Sequence, residues 1–430
     1  MRVIADIHIH SRYSRACSRD LTLPNIAAWC AKKGIGLVGT GDFTHPAWFA
    51  GMQKELQPHE SGFYKLTTDA ASGRHPANGG GNLQLTTFFV PTSEISCIYK
   101  CGGKVRRVHI IVVAPTLEVV KKINTTLASI GNIHSDGRPI LGLDAEELAK
   151  IVFDASPDCL VIPAHAWTPW FAVFGSQSGF DSLEECFGET TKHIHAIETG
   201  LSSDPKMNWR LSQLDRITLL SNSDAHSLAN LGREANVFDF PKPSYASFID
   251  AIRTKDQKRF LRTIEFFPEE GKYHVDGHRA CSVRLTPTET KKHKGLCPKC
   301  GKPVTVGVLY RIDALADRKK KEKPANAIPY TSMVPLQEII AEAFGVGKQS
   351  KKVQAMYEKM VARGGSEFEI LLDASYDALS PIAGDRRIIE GIRRVREGKL
   401  TILPGYDGEY GTIRVFNDAE RKENKQQKLL

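Results

Sequence analysis

The sequence lacks any apolar run that approaches the length of a membrane span, so no transmembrane helix is expected. It also lacks an apolar leader, because the N-terminal MRVIADIHIH already has the pattern of folded structure. We therefore expect no signal peptide, and the cytoplasm is the default compartment.

Two kinds of site are missing as well. No GxxxxGK[ST] loop is present, which argues against a nucleotide hydrolase of the P-loop class. The 9 cysteines of this 430-residue chain do not form a disulfide framework, so they are predicted to be free thiols or metal ligands. The length predicts two or three domains, and 41% hydrophobic with 25% charged residues is typical of a soluble globular protein.

Charge is distributed unevenly along the chain. Residues 271–430 hold 30 Lys and Arg against 20 Asp and Glu, whereas residues 1–270 hold 28 against 29. The neutral first part suggests a body that carries out chemistry, and the basic second part suggests an appendage that binds a polyanion. Lysines that only keep the surface soluble would explain the same charge.

Short apolar or β-branched runs recur through the first part, and each ends near His, Asp or Glu. They lie at residues 2–10, 35–42, 85–94, 107–115, 159–167, 193–200 and 217–226. Helix-like segments separate them, among them 23–34, which ends in glycine, and 145–155. This alternation predicts a parallel α/β sheet. Seven strands favour a barrel with its chemistry at the C-terminal strand ends.

Several of these strand ends carry residue types that bind metals. HxH at residues 8–10 and DAH at residues 224–226 place each outer pair on one face of a strand. Singly, each could be a structural His or a helix cap. Together, imidazoles and carboxylates suit Zn, Mn or Fe, and bridging carboxylates can hold two ions that clamp a phosphoryl group. The candidate ligands are His8, His10, Asp42, Glu94, His109, His165, Asp224 and His226.

The motifs HIHS, TGD, TSE, PAH and SDAH, in this order, resemble the polymerase-and-histidinol-phosphatase (PHP) superfamily. The resemblance covers about residues 1–265 and implies a distorted (β/α)7 barrel that hydrolyses phosphoesters with two or three divalent metals (Zn²⁺, Mn²⁺ or Mg²⁺). Within the ligand set, the catalytic residues are expected to be Glu94, Asp224 and His226.

The sequence departs from that superfamily in two places. Many members have TDH where this chain has Thr40-Gly41-Asp42, and many have an Asp near the position of Arg15. Asp42 can still bind a hard or borderline metal, so the number of ions stays open. His45 is expected to contact substrate or phosphate, or to lie in the turn. Glu198 is expected to orient a His or to contact substrate.

Residues 268–316 are predicted to form a small zinc-binding module. HxxC followed by CxxC supplies four soft ligands, which is enough for a closed structural Zn²⁺ site. A redox CxxC would need a thioredoxin-like βαβ context that is missing. The fourth ligand is the uncertain one, since His274 and His293 compete with His278. The predicted ligands are His278, Cys281, Cys297 and Cys300.

A charged linker (317–326) precedes a basic, mainly helical domain (327–430). The segment 385–399 is amphipathic, and its arginines, Arg386 and Arg393 among them, are expected to contact DNA phosphates. A solubilising face, a protein partner or a membrane surface are the alternatives. No code for reading base sequence is evident. The basic, Gln-rich tail 421–430 leaves a sliding clamp as a further partner to consider.

The whole arrangement resembles the endonuclease Q family of archaea and some bacteria over nearly the full chain. GTGDFTHPAWF, HRAC with CPKC, PYTSMVPLQEIIAEAFGVGKQS and LPGYDGEYGTIRVF carry the resemblance. It implies a nucleoid-associated repair enzyme acting on single- or double-stranded damaged DNA. Such an enzyme cuts 5′ to a deaminated base (uracil, hypoxanthine or xanthine) or an abasic site, and leaves a 3′-hydroxyl and a 5′-phosphate.

Reading a damaged base requires taking it out of the stack, where aromatic and small polar side chains can hold it. Ordinary core packing explains such aromatics equally well. The rival functions are a small-molecule phosphoesterase, a 3′–5′ exonuclease and a non-catalytic DNA-binding protein. A small-molecule phosphoesterase would not explain the predicted zinc module or the basic C-terminal domain. The candidate base contacts are Tyr13, Trp48, Trp167, Phe171, Phe174 and Ser176.

Overall fold

The computed structural model of the chain describes residues 1–72, 86–417 and 419–421, which form an α/β fold with mixed sheets. The strands are β1 (Arg2–Asp6), β2 (Leu37–Gly39), β3 (Leu56–Pro58), β4 (Tyr64–Leu66), β5 (Phe88–Val90), β6 (Thr92–Cys101), β7 (Lys104–Val113), β8 (Ile140–Leu141), β9 (Leu160–Pro163), β10 (Ala196–Glu198), β11 (Thr218–Leu220), β12 (Ala235–Asp239), β13 (Phe260–Glu265), β14 (Asp276–His278), β15 (Val283–Leu285), β16 (Tyr330–Ser332), β17 (Thr401–Leu403) and β18 (Thr412–Arg414).

The described residues also form α-helices, most of which lie between these strands along the chain. They are α1 (Leu23–Lys33), α2 (Pro46–Glu55), α3 (Thr68–Ser72), α4 (Leu117–Ile130), α5 (Ala145–Ala155), α6 (Leu183–Phe187), α7 (Pro205–Asn208), α8 (Tyr245–Arg253), α9 (Pro287–Lys292), α10 (Val308–Leu315), α11 (Leu336–Phe344), α12 (Lys351–Gly364), α13 (Tyr376–Ala383) and α14 (Arg386–Glu397). The helices predicted at 23–34 and 145–155 are therefore confirmed.

The main sheet has the order β16-β13-β12-β1-β2-β5-β4-β3. Its centre is parallel, with Ala5 of β1 opposite Leu37 of β2 and Leu37 opposite Phe88 of β5. On the other side of β1, β12 runs antiparallel, and β16 pairs in parallel with β13. The main sheet thus extends past the predicted linker, so the first and last predicted domains share it.

A second sheet has the order β8-β6-β7-β9. Gly102 and Gly103 join β6 to β7, and their φ values of 59° and 74° lie in the left-handed region that glycine tolerates. So short a connection makes β6 and β7 an antiparallel hairpin, because a parallel pair needs a long crossover. The parallel arrangement expected for these strands is therefore wrong. Within the described ranges the strand ladders are separate, so the predicted barrel ring is interrupted between them.

Helix α1 links the sheet to the C-terminal helices. Thr22 caps its start by accepting a hydrogen bond from the backbone N–H of Asn25, and its other end carries a buried ion pair. There the ammonium of Lys33 lies 2.7 Å from the carboxylate of Glu367, and both side chains are at most 5% exposed. The hydroxyl of Tyr357 also donates to Glu367 at 2.8 Å. These contacts fix α12 against α1.

The segments on either side of the strand pair β14–β15 lie beside the connection between β17 and β18. The backbone N–H of Val275 donates to Gly405 at 3.1 Å, and Thr305 donates to Asp407. β17 and β18 themselves form an antiparallel hairpin, in which Thr401 pairs with Arg414 and Leu403 with Thr412. None of the described helices combines the length and apolar character needed to cross a membrane. The tail beyond Arg421, considered above for a clamp, lies outside the described residues.

Candidate metal centre

Two groups of side chains that could hold a metal ion share one carboxylate. The first contains His8, His10, Glu94 and Asp224, and the second contains Glu94, His109 and His165. Within each group, one candidate ligand atom per residue lies within 4.8 Å of the others. Six of the eight predicted ligands thus come together, whereas Asp42 and His226 lie outside both groups as the described residues are placed.

The two carboxylate oxygens of Glu94 face the histidines of different groups. Its Oε1 lies 2.7 Å from Nδ1 of His109 and 3.0 Å from Nε2 of His165. Its Oε2 lies 3.3 Å from Nε2 of His10 and 3.7 Å from Nε2 of His8. A carboxylate in this position can bridge two cations.

The chain reaches the site from several strands. His8 and His10 follow β1, His165 follows β9, and Asp224 follows β11. Glu94 and His109 instead lie inside β6 and β7, so the expectation that Glu94 ends its strand is wrong. The antiparallel hairpin explains the difference, because it places Ser96 opposite His109 and brings Glu94 beside that ring.

Glu198 fixes the orientation of His8. Both of its oxygens lie 3.0 Å from Nδ1 of His8, and they also accept the backbone N–H of His165 and the amide of Asn222. With Nδ1 engaged, Nε2 of His8 is left buried and without a hydrogen-bond partner among the described residues. Such an orphaned nitrogen fits a metal ligand held by a buried carboxylate. Glu198 is 0% exposed, so the expectation that it contacts substrate is wrong.

Asp42 holds His10 in the same way, and it is not placed as a ligand. Its Oδ1 lies 3.0 Å from Nδ1 of His10. Its Oδ2 accepts the backbone N–H and hydroxyl of Ser11 at 2.6 and 2.7 Å and the hydroxyl of Ser14 at 2.9 Å. Both oxygens are therefore used behind the ring, and Nε2 of His10 faces Asp224 at 3.1 Å. The expectation that Asp42 binds the metal directly is corrected by this geometry.

The site concentrates negative charge in a buried place. Burial opposes a charge on His8 and His10, but the neighbouring carboxylates outweigh it and raise the pKa of both rings well above the ordinary value. Burial alone would raise the pKa of Glu94, yet His109 and then Arg138 hold it well below its ordinary range. A field that stabilises charged imidazoles would equally stabilise bound cations.

Arg138 is a site residue that the sequence reasoning missed. Its Nη1 lies 3.0 Å from Oε2 of Glu94. It comes from the loop between α4 and β8, and a single arginine on a loop has no spacing that would single it out. The turn residues Asp136 and Gly137 before it were the only available signal.

His226 lies beside the two groups. Its side chain is 31% exposed, its ring centroid is 4.6 Å from that of His10, and its Nδ1 lies 2.8 Å from the carbonyl of Asp224. Tyr13 and His45 stack on each other with centroids 4.3 Å apart, and both are half-buried. Phe171 packs against the ring of His109 at 4.7 Å.

Three predicted base contacts belong to the protein core. Trp48, Trp167 and Phe174 are 4%, 1% and 0% exposed. The indole of Trp48 donates to the carbonyl of Gly41 at 2.8 Å, and that of Trp167 donates to the side chain of Asn208 at 2.8 Å. The expectation that they contact substrate is wrong, and core packing, the alternative, describes them.

The predicted polar contacts differ in their surroundings. Ser176 and Arg386 are exposed. Arg393 is held by two carboxylates of its own helix, Glu390 at 2.8 Å and Glu397 at 3.0 Å. Its charge is thus neutralised within α14, and Arg386 is the freer of the two predicted DNA contacts.

A cavity of about 210 Å³ opens beside His165. The hydroxyl of Thr168, in its wall, lies 3.2 Å from Nδ1 of that His. The ring of Trp170 is 41% exposed and meets Tyr273 edge-on, with centroids 5.8 Å apart. His274 also lines the cavity, and its buried Nδ1 has no hydrogen-bond partner among the described residues. Tyr273 was missed because it lies in the predicted zinc module, far along the chain.

The four predicted zinc ligands also come together. One ligand atom from each lies within 4.8 Å of the others, and Sγ of Cys300 is 3.4 Å from Nδ1 of His278. Burial disfavours the thiolate of Cys297, but the backbone N–H groups of Lys299 and Cys300 lower its pKa to about 6. His274 and His293 lie outside this group, as the residues are placed.

Comparison with known proteins gives matches along the whole chain. A family model described as PHP-associated matches residues 209–256, and one described as the MJ0043 C-terminal domain matches residues 335–399. The chain is 30% identical over 427 residues to the uncharacterised protein YqxK of Bacillus subtilis, covering 96% of this chain and 99% of that protein. It is 35% identical over 253 residues to the uncharacterised protein MJ0043 of Methanocaldococcus jannaschii, covering 58% of this chain and 31% of that protein.

Two solved structures share the fold over nearly their full lengths. One is the lesion-specific endonuclease PfuEndoQ from Pyrococcus furiosus, with a TM-score of 0.82, 33% identity and coverage of 96% of this chain and 95% of that one. The other is endonuclease Q in complex with a 27-mer duplex substrate with an abasic lesion at the active site. Its TM-score is 0.81 at 33% identity, with coverage of 97% and 98%.

Proposed function

The chain belongs to the endonuclease Q family, and from this premise we propose that it is a metal-dependent endonuclease that cuts DNA beside damaged bases. The observation that carries the proposal is the pair of ligand groups that share Glu94. Enzymes that hydrolyse phosphodiesters commonly hold two cations side by side.

The residues present fit divalent cations. His8, His10, Glu94 and Asp224 would hold one ion, and Glu94, His109 and His165 would hold another. The orphaned Nε2 of His8 supports this reading. Their imidazole and carboxylate donors suit Zn²⁺ or Mn²⁺, with Mg²⁺ a weaker match. When bound, such ions lower the pKa of water and neutralise charge on phosphate oxygens. His226, beside Asp224, is the proposed third catalytic residue.

The proposed substrate is DNA that carries a deaminated base (uracil, hypoxanthine or xanthine) or an abasic site. Cleavage on the 5′ side of the lesion breaks the bond from phosphorus to the upstream 3′-oxygen. The upstream fragment then ends in a 3′-hydroxyl, and the lesion-bearing fragment starts with a 5′-phosphate. The duplex bound by the related endonuclease Q supports duplex DNA as a substrate.

The cavity beside His165 is the proposed place for the extruded base. Trp170 and Tyr273 offer aromatic faces in its wall. Phe171, Ser176 and the stacked Tyr13–His45 pair are the further proposed substrate contacts. A flipped base needs this combination of stacking and edge contacts.

The zinc module is proposed to hold one structural Zn²⁺ through His278, Cys281, Cys297 and Cys300. So small a unit has too little core to fold stably without its metal. A repair enzyme of this kind would work on the nucleoid. A sliding clamp, considered from the tail, stays a prediction.

The proposal can be tested by a cleavage assay. An end-labelled duplex that contains one deoxyuridine, deoxyinosine or abasic site is incubated with the protein and Mn²⁺ or Mg²⁺. A single nick directly 5′ to the lesion is expected, with no nick in the undamaged duplex. Asp224→Asn should abolish nicking and still bind lesion DNA, whereas Asp154→Asn on the exposed face of α5 should nick normally. A ladder from the 3′ end would indicate an exonuclease, and activity on small phosphate esters alone would indicate a small-molecule phosphoesterase.

A further inference from the structure

The loop that carries Arg138 is fixed against the site on both sides. The backbone N–H of Gly137 donates to the carbonyl of Tyr13 at 3.0 Å, and the hydroxyl of Thr44 donates to the carbonyl of Gly137 at 3.1 Å. A Cβ on Gly137 would collide with the side chains of Asp42 and Ser14, so only glycine lets the loop approach this closely. The position of Arg138 is therefore built into the fold.

The guanidinium of Arg138 uses only part of its hydrogen-bonding capacity. One nitrogen, Nη1, donates to Oε2 of Glu94 at 3.0 Å, and the side chain is 27% exposed. An arginine has five N–H donors. Within the ranges that the structure describes, Glu94 is the one side-chain partner of this guanidinium. Because the side chain is partly exposed, a ligand can reach the remaining donors.

A purely structural ion pair explains this arrangement poorly. A guanidinium that only balances a carboxylate usually binds it through two parallel hydrogen bonds. Here the contact is single, and Glu94 already has four imidazoles within 3.7 Å. Arg138 thus adds a fixed positive charge where the carboxylate is already well supplied with partners.

Resting on the proposed function, we propose that Arg138 binds a non-bridging oxygen of the scissile phosphate through its free N–H groups and stabilises the charge that grows there. During hydrolysis a water oxygen bonds to phosphorus, the bond to the upstream 3′-oxygen breaks, and the 3′-oxygen gains a proton. The guanidinium keeps its protons throughout, because its pKa lies above the working range.

The proposed contact of Arg138 with the scissile phosphate determines how much its replacement should slow cleavage. Removing one preorganised donor from a developing oxyanion costs about 10²- to 10³-fold in rate. Lysine would supply a point charge without the fork, so it should restore only part of that loss. Binding of lesion DNA should change much less, because many other contacts hold the duplex.

The experiment compares single-turnover nicking of a deoxyuridine duplex by the wild type, Arg138→Ala and Arg138→Lys. The Ala variant should lose about 10²-fold or more of its maximal rate, and millimolar guanidinium ion should restore part of it. A phosphorothioate at the scissile bond should slow the wild type more than the Ala variant for one of the two diastereomers. Arg15→Ala, an exposed arginine close in sequence to the site, controls for a general loss of positive charge and should affect DNA affinity alone.

Two further measurements separate this inference from its alternatives. The number of Mn²⁺ ions bound per chain and the melting temperature should be unchanged in Arg138→Ala. A lower ion count, or a rate that guanidinium cannot restore, would show that Arg138 only supports Glu94 and would overturn the inference. An unchanged rate would overturn it too. If the wild type nicks no damaged duplex at all, the proposed function itself fails.

Discussion

Replacing Asp42 by Asn should weaken metal binding without removing a bound ion. Asp42 accepts a hydrogen bond from Nδ1 of His10 with one oxygen and three hydrogen bonds from Ser11 and Ser14 with the other. Asparagine has one acceptor oxygen, so it cannot reproduce both sides. If its amide nitrogen faces His10, the ring must move its proton to Nε2, the atom that points at the ligand group.

The loss of metal affinity in Asp42→Asn depends on how the new amide is oriented. If the amide nitrogen instead faces Ser11, three donors lose their acceptor, and a hydrogen bond to a charged group contributes about 1.5–3 kcal/mol. Loss of a group that orients a ligating imidazole typically costs about 10- to 100-fold in metal affinity. That range corresponds to about 1.4–2.8 kcal/mol.

The assay is a titration of the metal-free protein with Mn²⁺, in which calorimetry measures the heat of binding. Asp42→Asn should bind as many ions as the wild type, with a dissociation constant about 10- to 100-fold higher for one of them. Asp224→Asn, which removes a proposed direct ligand, should instead bind one ion fewer. If Asp42→Asn loses one ion outright while the others bind with wild-type affinity, Asp42 is a ligand and the geometric argument is refuted.

Three further predictions concern stability and the substrate loop. Glu367→Gln leaves the buried ammonium of Lys33 without a counter-ion and should lower the free energy of unfolding by about 3–5 kcal/mol, measured by urea denaturation. Burial raises the pKa of Glu265 from 4.5 to about 8, so its contribution to stability is lost as pH rises through that interval. Glu265→Gln mimics the protonated acid, and its melting temperature should fall less than that of the wild type between pH 5 and 9. Arg311, whose guanidinium donates to the carbonyls of Phe174 and Phe180, holds the loop after His165. Arg311→Met should raise the KM for lesion DNA and leave Mn²⁺ stoichiometry unchanged.

Each of these three predictions would be contradicted by a specific result. Normal unfolding of Glu367→Gln would mean that Lys33 reaches water or another acceptor. Parallel pH curves for the wild type and Glu265→Gln would place the titrating group elsewhere. A lower Mn²⁺ count in Arg311→Met would mean that the loop supports His165 as a ligand, and not only the substrate.

The ligand groups could be predicted largely from the sequence, because their spacing is local. HxH places His8 and His10 on one side of the chain, and an apolar strand before each motif fixes the depth at which it ends. Glu94 and His109 were found by residue type, but their position inside a hairpin was missed. The two glycines between them carried that signal, since a two-residue glycine turn joins antiparallel strands.

The aromatic residues could not be sorted in the same way. Trp48, Trp167 and Trp170 all lie within a few residues of candidate ligands, yet the first two are buried and the third is 41% exposed. Sequence distance to a ligand does not determine the direction of a side chain. That direction depends on partners far along the chain, such as Asn208 for Trp167 and Tyr273 for Trp170.

The backbone of the GTGD turn differs from what the TDH of many PHP proteins would need. Gly41 and Asp42 both have positive φ, 64° and 49°, and a Cβ on Gly41 would collide with the carbonyl of Ile9. This pair of left-handed residues turns the carboxylate of Asp42 back behind His10, where Ser11 and Ser14 donate to it. A histidine could not accept all those hydrogen bonds, so an aspartate at this position can hold the ring of His10 in a way that a histidine cannot. Glu198 does the same for His8, and the Nε2 atoms of both histidines lie within 3.7 Å of Glu94 and Asp224.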